Sequence, residues 1–369
     1  MKTTAGGPPD TLDSTVESSW CTVEIPDGTD HSRRQFLGAA AGAVVTAQIG
    51  MAGSAHADAG GKEPPVPSTA PTSFGPLKQI NAGVLNVGYV EAGPVDGRAV
   101  VLLHGWPYDI HSYVEVASLL AAEGYRVIVP YLRGHGTTRF LSRTTFRNAQ
   151  QSVFAVDILA LMDALKIEKA ILAGYDWGSR TADIIAALWP ERCTALVSVT
   201  GYLITNREAN KRPLPPKDEW AWWYQFYFAT ERGELGLDEY RHDLGRLVWK
   251  FNSPTWDFDE ATYDRTARAF DNPDYVAIVI DNYRWRLSLA KGDPQYDGLE
   301  KRLAAAPVIG VPTITIDGQY DPFTPPGNGA SYRDKFSGKY AHRTLKAGHN
   351  VPQEAPEAFT EAIIEADGF

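Results

Sequence analysis

The sequence predicts an α/β protein, with a mostly parallel sheet covered by helices on both faces and interrupted by a helical insert. Three observations lead to that fold class. Short apolar runs rich in β-formers, such as Ala99-Val100-Val101-Leu102-Leu103 and Ile171-Leu172-Ala173, alternate with helical patterns, as strands buried between two helical layers do. The alternation stops near Thr200, gives way to an aromatic, helix-like stretch from Gly201 to about Ala306, and resumes at Val311-Pro312-Thr313-Ile314-Thr315-Ile316. Between Lys169 and Trp189 a strand pattern, the turn Gly174-Tyr175-Asp176-Trp177-Gly178 and a helix pattern follow one another directly.

The chain has 369 residues and a formal charge of −10, which offers nothing to a nucleic-acid backbone. No apolar run reaches the eighteen or so residues of a membrane span. Residues 1–57 read as an export leader. A polar start leads to Ser32-Arg33-Arg34-Gln35-Phe36-Leu37, then a Gly/Ala-rich, mildly apolar run to about Ala47, then Ala55-His56-Ala57 with small residues where a signal peptidase cuts. Adjacent arginines before a weakly apolar core resemble a twin-arginine signal, which implies the twin-arginine export machinery as a partner, cleavage after Ala57 and a periplasmic or secreted enzyme. Three basic residues (Lys2, Arg33, Arg34) and six acidic ones leave with the leader, so the mature charge is −7. Only Cys193 then remains, so no intramolecular disulfide can form. That suits a route that carries folded protein.

Pro, Gly and Ser mark residues 58–78 as a linker. The first part of the α/β core spans 79–200. Strands are expected at Leu85–Glu91, Ala99–Leu103 and Tyr125–Pro130, and helices at Val114–Glu123 and Ala149–Leu165. The latter is amphipathic, with Val153, Val156, Leu159 and Met162 among its apolar positions. After the strand–turn–helix comes the strand Cys193–Val199. The insert, 201–306, holds six of the ten tryptophans. The second part of the core, 307–369, offers the Thr313–Ile316 strand, a helix near Gly329–Phe336, a strand near His342–Leu345 and a last helix from about Pro356 to Ala366.

Strand, sharp turn and helix around Gly-x-Asp-x-Gly form the pattern of a nucleophile elbow, with Asp176 where serine usually stands. The glycines fit a turn whose backbone lies against its neighbours. Asp176 could merely cap the following helix. As a nucleophile, its carboxylate would attack an sp³ carbon and form an ester that water then cleaves. Such a reaction needs a base and an orienting acid, and both follow in order. Asp317-Gly318-Gln319-Tyr320-Asp321 follows a strand, where an orienting carboxylate belongs, and Asp321 is preferred to Asp317, which lies nearer the strand. Among eight histidines only His349, in Lys346-Ala347-Gly348-His349-Asn350, sits between the last strand and a Pro-started helix. It is the expected water-activating base, held in one tautomer by Asp321.

With these residues in place the sequence resembles the α/β-hydrolase superfamily, and within it the epoxide hydrolases, from about residue 80 to 365. His104-Gly105-Trp106-Pro107 is similar to that family's oxyanion loop, which implies that the backbone N–H groups of Trp106 and Trp177 serve the oxyanion. Arg133-Gly134-His135-Gly136 resembles the loop after the next strand. The elbow Asp-Trp-Gly is shared with haloalkane dehalogenases. No Gly-x-Ser-x-Gly occurs, which argues against a serine esterase. The insert becomes the family's cap. Tyr224-Gln225-Phe226-Tyr227-Phe228 and Asn282-Tyr283-Arg284 resemble the cap tyrosine motifs, and the resemblance implies that Tyr224 and Tyr283 donate protons to the leaving oxygen. A phenol stays protonated at neutral pH and can do so, whereas a halide leaves with N–H donors alone.

The resulting expectation is an epoxide hydrolase that opens an apolar or aromatic epoxide to a diol. It needs no cofactor and no metal, and Trp106, Trp177 and Trp223 line the substrate site. The rival is a haloalkane or haloacid dehalogenase using the same Asp176. An idle protein with an aromatic ligand pocket is the reading from outside enzymology. Tyr175 departs from the His that many epoxide hydrolases place before the nucleophile.

Overall fold

The computed structural model describes residues 73–323 and 326–369. The expected leader, 1–57, and the linker as far as residue 72 lie outside the described residues. The chain begins its sheet with β1 (Lys78–Ala82), β2 (Leu85–Ala92) and β3 (Ala99–Leu103), followed by α1 (Val114–Ala122), β4 (Arg126–Pro130), β5 (Arg139–Phe140), α2 (Gln151–Ala164), β6 (Ala170–Gly174), α3 (Trp177–Leu188) and β7 (Cys193–Val199). The helices α4 (Pro216–Ala221), α5 (Trp223–Phe228), α6 (Glu231–Asn252), α7 (Glu260–Ala267), α8 (Tyr275–Arg286) and α9 (Asp297–Ala304) separate β7 from β8 (Thr313–Gly318). β9 (Tyr340–Leu345), α10 (Val351–Glu354) and α11 (Pro356–Asp367) close the chain.

The sheet runs β1-β2-β4-β3-β6-β7-β8-β9, with β5 paired to β2. Pairings from β4 through β9 are parallel, and those of β2 with β1, β4 and β5 are antiparallel. Val100 to Leu103 and Leu172 to Ala173 expose none of their surface, because the centre of a parallel sheet has helices on both sides. α1 packs with α11 and α2 with α3, while β7 touches both α3 and α11, so the two helix pairs cover opposite faces. The family's parallel α/β fold is thus the one observed.

Two local expectations need correction, and two strands were not expected at all. β1 and β5 had no sequence signal, since β1 (Lys-Gln-Ile-Asn-Ala) is a polar edge strand and β5 has two residues. The segment near Gly329–Phe336 is a short 3₁₀ turn, Ala330–Lys335, rather than a helix. α2 is not two-faced. It buries Gln151 through Ala155, Asp157, Ile158, Leu159, Leu161 and Met162, while Val156 is only half-buried. Its polar residues are satisfied in place. Asp157 accepts 2.6 and 2.8 Å hydrogen bonds from Arg133, and Glu300 of α9 accepts from Ser152 N–H and Gln151. The last helix of the 201–306 insert therefore packs on the core, and α4 to α8 are the part that lies over the sheet's C-terminal edge.

Candidate active site

Four loops at the carboxyl ends of parallel strands bring the site together: those after β3, β6, β8 and β9. In an open parallel sheet this edge, at the crossover where strand order reverses, is where ligands bind.

Asp176 stands two residues past the end of β6, after Tyr175, and holds φ 53°, ψ −119°. A non-glycine residue with positive φ is strained, and the packing around it enforces the turn. A Cβ on Gly174 would come within 2.5 Å of Gly178 backbone, and one on Gly178 within 1.8 Å of the Leu103 carbonyl oxygen, so only glycine allows this approach. Asp176 occupies the N-cap position of α3, yet its side chain accepts no bond from the helix's first turn. The capping alternative is therefore not what the side chain does. Instead Oδ1 accepts the Trp106 N–H at 2.7 Å, and Oδ2 faces His349 Nε2 at 3.8 Å, an ion-pair contact rather than a hydrogen bond. The Trp177 N–H, at the first position of α3, has no acceptor among the described residues.

His349 Nδ1 is 2.8 Å from Asp321 Oδ2, and the Asp321 Oδ1 is pinned by the Phe323 N–H. Asp317 does not reach the imidazole. Its oxygens accept from Gly327 N–H and Tyr332 Oη, so it shapes the loop. Burial alone would lower the imidazole pKa, but the charges and hydrogen bonds of Asp321 and Asp176 outweigh it and raise His349 to about 10. Burial works to raise Asp176, and His349, Arg180 and the Trp106 N–H hold it below the usual carboxylate value.

Tyr224 and Tyr283, both buried, flank the Trp106 ring with centroids 5.2 and 5.3 Å away, and lie 5.4 Å from each other edge to face. Burial, with the charge of Asp176, raises both phenols well above 10, so both hold their protons at neutral pH. Tyr224, not its neighbour Trp223, faces Tyr283. Trp223 is half-buried and stacks toward Tyr227, lining with Tyr224, Val248 and Phe251 an apolar cavity of about 180 Å³. The Trp106 indole N–H is engaged by Tyr275 Oη at 2.9 Å. The Trp177 indole N–H is buried with no acceptor at hydrogen-bond geometry, although it lies near enough to Tyr283 to ease that phenol's ionisation.

Sequence reasoning missed Tyr275, which fixes the Trp106 ring, and Tyr108, which stacks on Trp249 and lies tilted beside the imidazole with centroids 6.3 Å apart. It also missed Arg180, one turn after Asp176 and 7% exposed. A basic side chain one turn past the expected nucleophile, on a helix whose one other charged residue is Asp183, was the available signal. Among the described residues no group of three or more His, Cys, Asp or Glu could hold a metal ion, and no helix is long and apolar enough to cross a membrane.

This sheet, elbow and Asp-His-Asp arrangement define the α/β-hydrolase fold, and residues 98–356 match the model of that family, so the chain belongs to it. A solved candidate epoxide hydrolase from Klebsiella pneumoniae is 59% identical, with a TM-score of 0.78 over 79% of this chain and 97% of that one. Epoxide hydrolase B of Mycobacterium tuberculosis is 29% identical over 169 residues, 42% of this chain and 47% of that protein. A haloalkane dehalogenase of Mycobacterium marinum is 34% identical over 211 residues, 54% of this chain and 67% of that protein. The match to the M. tuberculosis relative thus spans about half of that protein's length. The chain is an epoxide hydrolase-like α/β hydrolase.

Proposed function

We propose that the chain is an epoxide hydrolase acting through a covalent ester on Asp176. The observation that carries the reading is the pair of buried phenols, Tyr224 and Tyr283, packed on the ring of Trp106, whose backbone N–H binds the Asp176 carboxylate that faces a histidine–aspartate pair. An Asp176 oxygen attacks a ring carbon, the C–O bond breaks, and a phenol proton passes to the ring oxygen. With Asp176 esterified, His349 Nε2 takes a proton from water, which adds to the ester carbonyl. The oxyanion so formed faces the Trp106 and Trp177 N–H groups. Collapse expels the alkoxide, which takes the proton of the new carboxylic acid. The diol leaves, and proton exchange resets His349 and the tyrosinate.

The dehalogenase reading draws support from the M. marinum relative and from the unengaged Trp177 indole. A halide clasped by two indoles would also need the Trp106 N–H, and Tyr275 already occupies it. The epoxide reading is therefore preferred. The apolar cavity beside Tyr224 and Trp223 supports a substrate with an apolar or aromatic body. The leader supports action outside the cytoplasm after twin-arginine export.

The decisive experiment traps the ester. Incubated with styrene oxide, His349→Ala should gain the mass of one epoxide on Asp176, and wild-type single turnover in H₂¹⁸O should place label in Asp176. A diol formed with label only in the product, and no adduct on His349→Ala, would overturn the covalent route.

A further inference from the structure

Two guanidiniums at the candidate site have no ion-pair partner among the described residues: buried Arg180, one turn after Asp176 on α3, and half-buried Arg286, against the Tyr283 ring. Arginine holds its proton throughout the physiological range, and a charge removed from water is unfavourable unless something pairs with it. Elsewhere this chain supplies the partner, as where Asp157 takes two bonds from Arg133 and Asn148 a further pair. Arg180 donates only from Nε, to the Leu203 carbonyl at 3.0 Å, and no carboxylate lies within 4 Å of it among the described residues. Arg286, in the last turn of α8, donates no hydrogen bond among the described residues. Its Nε is buried without an acceptor, and its guanidinium lies against Tyr283 and Trp222, 5.6 and 5.7 Å from the ring centroids. Burial, and next the charge of Arg286, pull Arg180 down to about 10, so the two cations repel each other. The nearby acids Asp176 and Asp183 favour the Arg180 charge only through space, and neither accepts a hydrogen bond from it. Asp176 is held by Trp106 and His349. Asp183 accepts the Leu203 N–H, and burial raises it to about 7.

Arg286 also reaches outward. It lines a groove of about 550 Å³ with Trp222, Gln225, Lys211, Arg212 and a single acid, Glu219. Lys211 is paired with Glu208, and Arg212 and Arg286 still outnumber Glu219, so in a chain whose formal charge is −10 the groove favours the approach of an anion.

We infer that Arg180 and Arg286 form a carboxylate-binding subsite, so that the preferred substrate is an epoxide carrying a carboxylate on the ring or within a few bonds of it. The inference rests on the epoxide reading above and adds the charged group to it. The apolar body of such a substrate has the cavity beside Tyr224, and the planar guanidiniums suit two-pronged pairing with a carboxylate.

The test compares 3-phenylglycidate with 3-phenylglycidamide, of nearly equal shape, on the full chain. Wild type should favour the acid by about tenfold or more in kcat/KM. Arg286→Gln should cut that acid-to-amide ratio at least tenfold, and Arg286→Lys should restore part of it. Arg180→Gln should act in the same direction if circular dichroism shows it folded, and the Arg286 pair stands without it. A wild-type ratio near one, or an Arg286→Gln loss equal on acid and amide, would overturn the subsite; the equal loss would make Arg286 a tuner of the phenols. A second arm needs no turnover: calorimetry with 3-phenylpropanoate and 3-phenylpropanamide. Preference for the acid that Arg286→Gln removes, without hydrolysis of any epoxide, would retain the subsite and overturn the epoxide reading. Epoxide hydrolysis with no charge preference in either arm would do the reverse.

Discussion

In the proposed covalent route His349 holds two roles that its surroundings alternate. With Asp176 and Asp321 both ionised its pKa stands near 10, so in the resting site it is a cation and no base. Esterification removes the Asp176 charge, leaving Asp321 as the one carboxylate at the ring, and the imidazole pKa must fall. The base is thus generated by the step that requires it. In rapid-quench experiments ester formation should vary little between pH 6 and 9, since the depressed Asp176 pKa keeps the nucleophile ionised there. Ester hydrolysis should rise with pH as the imidazolium of the intermediate deprotonates, then level. An ester-formation rate that climbed with pH across this range would contradict the resting cation. For the phenols, Tyr224→Phe or Tyr283→Phe should each lower the ester-formation rate by about 10²-fold and the double variant further, with the hydrolysis rate nearly unmoved. Asp176, Asp321 and His349 could be found in the sequence because each follows a strand pattern in the one order this topology allows. Tyr275 and Arg180 could not. Tyr275 acts through the Trp106 indole 169 residues away, and a helix pattern does not say which of its neighbours will be charged.

Among the elements, the elbow is the one whose sequence and geometry constrain each other most tightly. Gly178 lies where β3, β6 and α3 converge, and its missing Cβ leaves room for the Leu103 carbonyl. Backbone on both sides cannot yield as a flexible side chain would. Gly178→Ala should therefore destabilise the protein by about 3 kcal/mol in urea denaturation and abolish ester formation through displaced Asp176. An unchanged midpoint would mean that α3 can retreat from β3. The buried central strands and α3 were legible because their composition and their environment agree. β1 was not, since an edge strand buries little and so needs no apolar run. α2 misled in the opposite sense. Its polar residues suggested a solvated face, whereas Asp157 and Ser152 are buried against Arg133 and Glu300, partners 24 and 148 residues away.

Across the molecule, the helices between β7 and β8 are fastened to the core from several sides. Trp249 Nε1 donates to the Pro107 carbonyl at 2.6 Å, Asn252 accepts from the His349 N–H through its carbonyl, Asn282 donates to Ala149, and Asn272 to Thr138. Two of these bonds end on the loops that carry Trp106 and His349, so the site is complete only when cap and core have folded together. That bears on export. On the proposal that residues 1–57 are an export leader, with the Arg33-Arg34 pair of a route that carries folded proteins, the described sheet begins downstream at Lys78, and the one cysteine left after cleavage, Cys193, is buried and free. A protein whose catalytic loops depend on tertiary bonds between distant segments, with no disulfide to form after transport, gains by folding first. Expressed in a bacterium with this pathway, the full chain should appear in the periplasmic fraction with an N-terminus at Asp58. Replacing Arg33 and Arg34 together by lysine should leave the precursor in the cytoplasm with its hydrolase activity intact, because the described fold lies wholly downstream. Periplasmic protein from that double variant would overturn the leader. Cytoplasmic protein without activity would show that the site needs something met only outside.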